Sequence, residues 1–112
     1  MSYSERLEDR IDHFFIHEER LVKNKEMGGV GWLVNGNMCV GIYEDLLVCR
    51  IDPNIVDHLI QEPDITLFTH RKGEEDSFLS VTQKIYCTDE ALHKFLNHAA
   101  KFTSTLPEKK AM

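Results

Sequence analysis

The sequence predicts an α+β domain of two layers, in which helices pack on one face of an antiparallel sheet. Three observations predict this class. Hydrophobic residues recur every three or four positions near both ends of the chain, they alternate with a period of two between residues 27 and 51, and two turn signals divide the alternating region into three strands. The predicted order is α-β-β-β-α-β-β-α, with the first three strands forming an antiparallel meander and the helices packed on one face.

The first predicted element is a helix from Ser4 to about Lys25. Its apolar residues, beginning with Leu7 and Ile11, follow the three- and four-residue steps of an amphipathic helix, and charged residues fill the other positions. Gly28 then ends the helical pattern. The prediction is therefore one long helix before the sheet.

The meander is predicted from its two turns. Asn35-Gly36 stands between apolar runs and is the most specific short hairpin signal, because both central residues of that turn take positive φ. Glu44-Asp45 is predicted to be a second two-residue turn. The resulting register places an entirely apolar set on one face, the predicted core face: Gly29, Gly31, Leu33, Met38, Val40, Ile42, Leu47, Cys49 and Ile51. The opposite face then carries Val30, Trp32, Val34, Asn37, Cys39, Gly41, Tyr43, Leu46, Val48 and Arg50.

That second face has an unusual composition. It is too apolar for a freely solvated surface, and yet Arg50 and Asn37 are too polar for a core, so either a helix covers part of it or it forms an interface. The register puts Trp32 and Arg50 on either side of Cys39. It also puts Cys39 and Cys49 on opposite faces, which excludes a disulfide between them.

The rest of the chain is predicted to alternate helices and strands. The elements are a helix capped by Asp52 and stopped by Pro63, a strand over Ile65–His70, a charged turn over Arg71–Asp76, a strand over Phe78–Val81 that extends towards Tyr86, and a helix capped by Thr88 and ended by Pro107. Residues 107–112 are predicted to form a flexible tail, and residues 1–112 a single domain.

Composition restricts the classes of function. The chain of 112 residues has 19 acidic and 13 basic side chains and a net charge of −6, which argues against a surface that binds nucleic-acid phosphates. Its apolar runs are too short to span a membrane, and the polar start does not resemble a signal peptide. Three cysteines without a CxxC motif indicate reduced thiols, so we expect a cytoplasmic protein.

No motif for catalysis or for a cofactor is evident. Gly28-Gly29-Val30-Gly31 follows a predicted helix and lacks the lysine of a phosphate-binding loop. His13 and His17 stand one helical turn apart, but the HExxH motif of a zinc site is missing. No serine lies in a G-x-S-x-G sequence. We therefore expect no cofactor, no metal and no enzymatic activity.

An ordered set of motifs resembles the N-terminal domain of the TfoX/Sxy family. The motifs are Gly28-Gly29-Val30-Gly31-Trp32-Leu33-Val34-Asn35-Gly36-Asn37-Met38, Leu46-Leu47-Val48-Cys49-Arg50-Ile51-Asp52-Pro53, Thr88-Asp89-Glu90 and Leu106-Pro107. The resemblance extends from about Arg20 to Lys109. Two positions depart from it: Glu26-Met27 replaces the usual Met-Phe, and Ser77 replaces a frequent glycine.

The resemblance implies an α+β two-layer fold that has also been compared with secretion chaperones. TfoX proteins regulate natural competence in bacteria, acting on transcription alongside a cyclic-AMP-responsive activator. They carry a second, C-terminal domain that this chain does not resemble, so the competence role is not carried over. The family supplies no catalytic residues to transfer.

The resulting expectation is a non-enzymatic bacterial regulatory or adaptor domain that binds another protein. Its partner would be a protein of the transcription machinery, or a second copy of the chain. Trp32 is predicted to be the apolar anchor and Arg50 the charged element of an interaction face that comprises Trp32, Arg50, Gly28, Gly29, Cys39 and Tyr43. The alternative hypothesis is a small-molecule-binding module with a pocket between helix and sheet. Direct DNA binding is the least favoured hypothesis.

Overall fold

The fold is described by a computed structural model over residues 3–26, 28–68 and 78–108. Its elements are α1 (Glu5–Phe14), β1 (Leu21–Glu26), β2 (Gly29–Val34), β3 (Asn37–Tyr43), β4 (Leu46–Arg50), α2 (Pro53–Leu59), β5 (Ile65–Leu67), β6 (Phe78–Val81), α3 (Gln83–Tyr86) and α4 (Asp89–Thr103). The predicted α+β class is confirmed. None of the helices in these ranges is both long enough and apolar enough to cross a membrane.

One antiparallel sheet contains all six described strands, in the order β1-β2-β3-β4-β6-β5. Its core side faces the helices, because the alternate residues Leu47 and Cys49 of β4 and Leu79 of β6 are fully buried together with Leu92 and Leu96 of α4. Val56 of α2 belongs to the same core. The helices therefore lie on one face of the sheet, as predicted.

The first helix is much shorter than its periodicity suggests. It ends at Phe14, and Leu21–Glu26 forms an edge strand that pairs with β2 along its whole length. The predicted helix from Ser4 to about Lys25 is therefore wrong beyond Phe14. Backbone pairing along β2 outweighs a local helical pattern, since pattern and propensity are weaker than tertiary hydrogen bonding and packing.

The helix starts follow the sequence closely. The side chains of Ser4, Asp52 and Thr88 each accept a hydrogen bond from a backbone N–H in the first turn of α1, α2 and α4, at 3.2, 2.9 and 3.2 Å respectively. Asp52 and Thr88 were the predicted caps of α2 and α4. Pro53 occupies the first turn of α2, where its missing N–H costs nothing.

The two predicted turns also form. Asn35 and Gly36 have φ of 53° and 81°, as a turn of this type requires, and Glu44 takes φ of 58° in the second turn. The predicted register of β3 with β4 is confirmed from Tyr43 opposite Leu46 to Val40 opposite Cys49.

A β-bulge changes the register of the first hairpin. Val34 pairs with Asn37 and Leu33 with Met38 as predicted, but Trp32 then pairs with Val40 instead of Cys39. One extra residue of β3 is accommodated at this point, so the whole of β2 presents its side chains to the opposite face from the one predicted. The buried residues of β2 are consequently Val30, Trp32 and Val34.

The bulge overturns the predicted division of the sheet. Trp32 and Cys39 lie on the core side, whereas Arg50 lies on the other face. Cys39 and Cys49 also share the core side, so the predicted separation of these two thiols is wrong, although both remain unpaired. Met38 lies outside the core, contrary to the prediction, because its side chain covers glycines of the opposite face.

Two further predictions in the C-terminal half need correction. The strand over Phe78–Val81 is confirmed, but its extension towards Tyr86 is wrong, since Gln83–Tyr86 forms the short helix α3. The helix after Thr88 ends at Thr103, before Pro107. The carbonyl of Pro107 accepts a hydrogen bond from Asn37 Nδ2 at 2.9 Å, which ties this residue to the sheet. The charged turn over Arg71–Asp76 and the tail beyond residue 108 lie outside the described residues.

Candidate functional site

The candidate site is the face of the sheet that points away from the helices, which we call the outer face. The pairing places three rows of side chains across it. The first row contains Val22, Leu33, Met38, Arg50 and Phe78, the second contains Asn24, Gly31, Gly41, Val48, Ser80 and Thr66, and the third contains Gly29, Tyr43 and Leu46. Among the side chains that the structure describes on β1 to β3, few polar ones lie on this face.

The second row contains small residues, which leave a shallow trough between the larger side chains of the first and third rows. Gly31 lies opposite Gly41, and the Met38 side chain lies over both of them. A Cβ atom added at position 41 would lie 2.7 Å from Met38 Cε and 3.0 Å from the Val30 carbonyl oxygen. Gly41 is therefore needed for this close approach, whereas a Cβ at position 31 would meet the Met38 side chain only at an ordinary contact distance of 3.6 Å.

Two aromatic rings stand over the middle of the outer face. Tyr43 and Phe68 meet edge to face with their ring centroids 5.8 Å apart. In the register of the sheet, Val48 lies diagonally between these two rings. Val48 is only 2% exposed, although no helix of the described part covers this face. The aromatic pair thus gives the outer face a packed apolar centre.

Arg50 is fixed at one end of the first row. Its Nε donates a hydrogen bond to the Met38 carbonyl oxygen at 2.7 Å, and its guanidinium carbon lies 4.3 Å from the centroid of the Phe78 ring. This distance is typical of a cation–π contact. The guanidinium is therefore held in one orientation against apolar neighbours. An arginine that is already ordered loses little side-chain entropy when it binds a partner.

The most exposed apolar side chains of the outer face lie on its β1–β3 half. Val22 is 63% exposed and Tyr43 is 39% exposed. Both flank the trough of small residues. An exposed apolar area bordered by a fixed arginine has the composition of a protein-binding surface.

Two of the predicted interaction residues are not on this surface. Trp32 is 2% exposed in the core, where its indole N–H donates to Asp12 Oδ1 at 3.0 Å and Lys23 Nζ lies 5.6 Å from the ring centroid. Cys39 is fully buried beside the bulge. These two residues therefore stabilise the packing of α1 and α4 on the sheet, and they offer nothing to a partner in this fold.

The other four predicted residues remain at the outer face or beside it. Gly28 is an exposed residue of the turn between β1 and β2, with φ of 79°, and Gly29 lies opposite Tyr43. Gly28 meets the positive φ without the strain that a side chain would cause. Tyr43 and Arg50 lie in the third and first rows.

Val22 and Met38 belong to the outer face but were absent from the predicted set. Val22 fell within the predicted helix, and Met38 was assigned to the core. Residues 21–26 are two apolar residues followed by four polar ones, so no period-two alternation marks this segment as a strand. Nothing in the sequence marks the bulge that places Trp32 in the core.

A cluster of charges fastens α1 to the edge strand on the helix side. Lys23 Nζ lies 2.6 Å from Glu8 Oε2 and 2.7 Å from Asp12 Oδ2. Burial raises the pKa of Glu8, but hydrogen bonds and charges from its partners, chiefly Lys23, outweigh burial and hold that pKa below 4.5. Burial lowers the pKa of Lys23, and its bonds to Asp12 and Glu8 outweigh that effect and raise the pKa above 10.5. Lysines that point inward on an edge strand also discourage pairing with another chain.

The buried thiols have little capacity for nucleophilic chemistry. Burial raises the pKa of Cys39 to about 11, and the neighbouring Thr103 and the charge of Arg50 offset this effect only in part. Burial, together with Cys39, raises the pKa of Cys49 as well. Both are therefore neutral thiols at pH 7, and the thiolate is the reactive form. In residues 3–26, 28–68 and 78–108, no three His, Cys, Asp or Glu side chains are grouped so that they could hold a metal ion.

Comparisons with known proteins give no relative for this fold and site. No family model matches the chain, and neither a curated protein nor a solved structure is significantly similar to it.

Proposed function

We propose that this chain is a non-enzymatic regulatory or adaptor domain of a bacterial cytoplasm that binds another protein through the outer face of its sheet. The resemblance to the N-terminal domain of TfoX regulators suggests a partner from the transcription machinery. The partner-binding residues in this proposal are Val22, Tyr43 and Arg50, with Gly28 and Gly29 at the adjoining turn. Trp32 and Cys39 are no longer part of the proposed surface.

The observation that carries the proposal is an apolar sheet face exposed on β1 to β3. Val22 and Tyr43 project from it at 63% and 39% exposure, and Arg50 is held beside it by a hydrogen bond and a ring contact. Removing apolar surface from water is energetically favourable. A partner that covers this face therefore gains binding free energy from the apolar area that is concentrated there.

The test uses Val22→Asp, because Val22 is highly exposed and its replacement removes no core contact. The matched control is Ile16→Asp: Ile16 is 66% exposed, but it lies in the turn between α1 and β1, away from the outer face. The tagged wild-type chain and both variants are used to capture proteins from the native cell, and the protein recovered with wild type is purified and its binding measured by calorimetry.

We expect Val22→Asp to weaken binding of the purified partner at least about tenfold, which corresponds to about 1.4 kcal/mol. Ile16→Asp should leave the affinity unchanged. Equal affinities for wild type and Val22→Asp, with the fold of both intact by circular dichroism, would refute the proposed surface. Arg50→Glu is less suitable as a first test, because it also removes the hydrogen bond to Met38 and the contact with Phe78.

The pocket between helix and sheet, on which the small-molecule alternative depends, receives no support. Fully buried side chains of both layers meet there, including Leu47, Leu79, Leu92 and Leu96. In the described part of the chain this contact between the two layers is filled by side chains, which argues against a ligand there.

A further inference from the structure

A groove of about 430 Å³ lies on the helix side of the molecule, remote from the outer face. One wall is the first half of α1, and the other is the junction between α3 and α4. Charged and polar side chains supply most of the lining, among them Ser4, Arg6, Arg10, Gln83 and Asp89.

Two arginines, Arg6 and Arg10, give the groove its positive charge. Arg6 and Arg10 are four residues apart on α1, so both side chains occupy the same side of the helix. Arg10 Nη2 lies 3.1 Å from Asp89 Oδ1, and the Arg10 side chain is 23% exposed. Arg6 is exposed and forms no ion pair with any other described residue. One guanidinium is therefore partly neutralised and the other is available.

The backbone adds to this positive character. α1 begins directly after its cap, Ser4, and α4 begins at Asp89; Ser4 and Asp89 both line the groove. The first turn of a helix presents N–H groups and a partial positive charge. Ser4 and Thr88 each accept one of these N–H groups, so the two guanidinium groups are the main positive charges at the groove, in a chain whose net charge is −6.

Asp89 indicates the chemistry that the groove accepts. Its carboxylate already binds Arg10, but its side chain is 79% exposed, so this ion pair is held weakly against water. An external carboxylate has the same charge and planar shape and can bind a guanidinium through two parallel hydrogen bonds. Asp89 thus competes with any such ligand for Arg10.

We propose that this groove binds a small metabolite with two or more carboxylates, one held by Arg6 and another by Arg10 in place of Asp89. The proposal does not depend on the outer face or on a protein partner. The proposal predicts opposite effects for two substitutions. Removal of the carboxylate at position 89 should strengthen binding of the ligand, and removal of the guanidinium at position 6 should weaken it.

The test is a calorimetric titration of the purified full chain with sodium citrate at constant ionic strength, accompanied by an NMR titration of the backbone amides. The variants are Arg6→Gln and Asp89→Asn. Arg20→Gln is the matched control, because Arg20 is an exposed arginine paired with Glu18 in the turn after α1 and does not line the groove. A parallel titration with inorganic phosphate separates carboxylate recognition from general anion binding.

We expect saturable citrate binding with a Kd on the order of 1 mM or tighter, and amide shifts confined to the starts of α1 and α4. Arg6→Gln should weaken this binding by about two- to fivefold, and Asp89→Asn should strengthen it by a similar factor. Absence of saturable binding would overturn the proposal. So would equal weakening by Arg20→Gln, weaker binding by Asp89→Asn, or tighter binding of phosphate than of citrate.

Discussion

Trp32→Ala is the substitution that best separates a core residue from an interface residue in this chain. Trp32 is 2% exposed, and burial of a tryptophan removes about 200 Å² from water. At about 25 cal/mol per Å² this contributes about 5 kcal/mol, so we expect the variant to lose about 3–5 kcal/mol of unfolding free energy. A 112-residue chain has only about 6–17 kcal/mol in total.

The loss is measured by urea unfolding followed by circular dichroism, because Trp32 is the sole tryptophan and the variant has no indole fluorescence. Trp32→Phe provides a milder comparison. It keeps an aromatic ring in the core but removes the N–H that donates to Asp12, so we expect a loss of about 1–2 kcal/mol.

The wild-type protein offers an independent measurement of the same burial. Acrylamide should quench the fluorescence of the native chain far less than that of the chain in urea. Native quenching as strong as in urea, or a Trp32→Ala variant within about 0.5 kcal/mol of wild type, would refute the core position of Trp32 and the bulge that produces it.

Three further predictions concern thiols, charge and backbone packing. In the native chain only Cys87 should react rapidly with a thiol reagent, because Cys39 and Cys49 are buried with raised pKa values; all three should react in denaturant. Glu8→Gln should lower stability at pH 7. The pKa of Glu8 lies below 4.5 in the folded chain, so its contribution is present above that pH and should fade in urea titrations as the pH falls further. Gly41→Ala should cost about 1–2 kcal/mol in thermal or urea unfolding, because its Cβ crowds a neighbouring carbonyl oxygen.

Each of these has a result that contradicts it. Fast reaction of two or three native thiols would contradict the burial of the β3 and β4 cysteines. A Glu8→Gln penalty that grows on acidification would contradict the sign of the pKa shift. Gly31→Ala is the matched control for Gly41→Ala, because a Cβ at position 31 would have no contact closer than 3.6 Å. Equal penalties for the two alanines would exclude steric crowding as the cause.

Local signals in the sequence are sufficient to predict the class of fold and most of its turns and helix starts. Asn35-Gly36 specified the first turn, and Asp52 and Thr88 specified two helix starts. Each of these signals acts within a few residues through backbone conformation or a local hydrogen bond, so each can be read without knowledge of the remainder of the chain.

The tertiary structure decided which residues meet. Leu21–Glu26 became a strand because β2 offers it a hydrogen-bonding partner, and the helical spacing before it could not reveal that partner. The bulge that shifts the register between Trp32 and Leu33 likewise places Trp32 where its indole N–H reaches Asp12 of α1. One extra residue there moved Trp32 from the predicted interface into the core, whereas Tyr43 and Arg50 remain on the outer face. Side-chain direction in a strand has a period of two, so a single non-local irregularity, invisible in the sequence, decides which face can bind a partner.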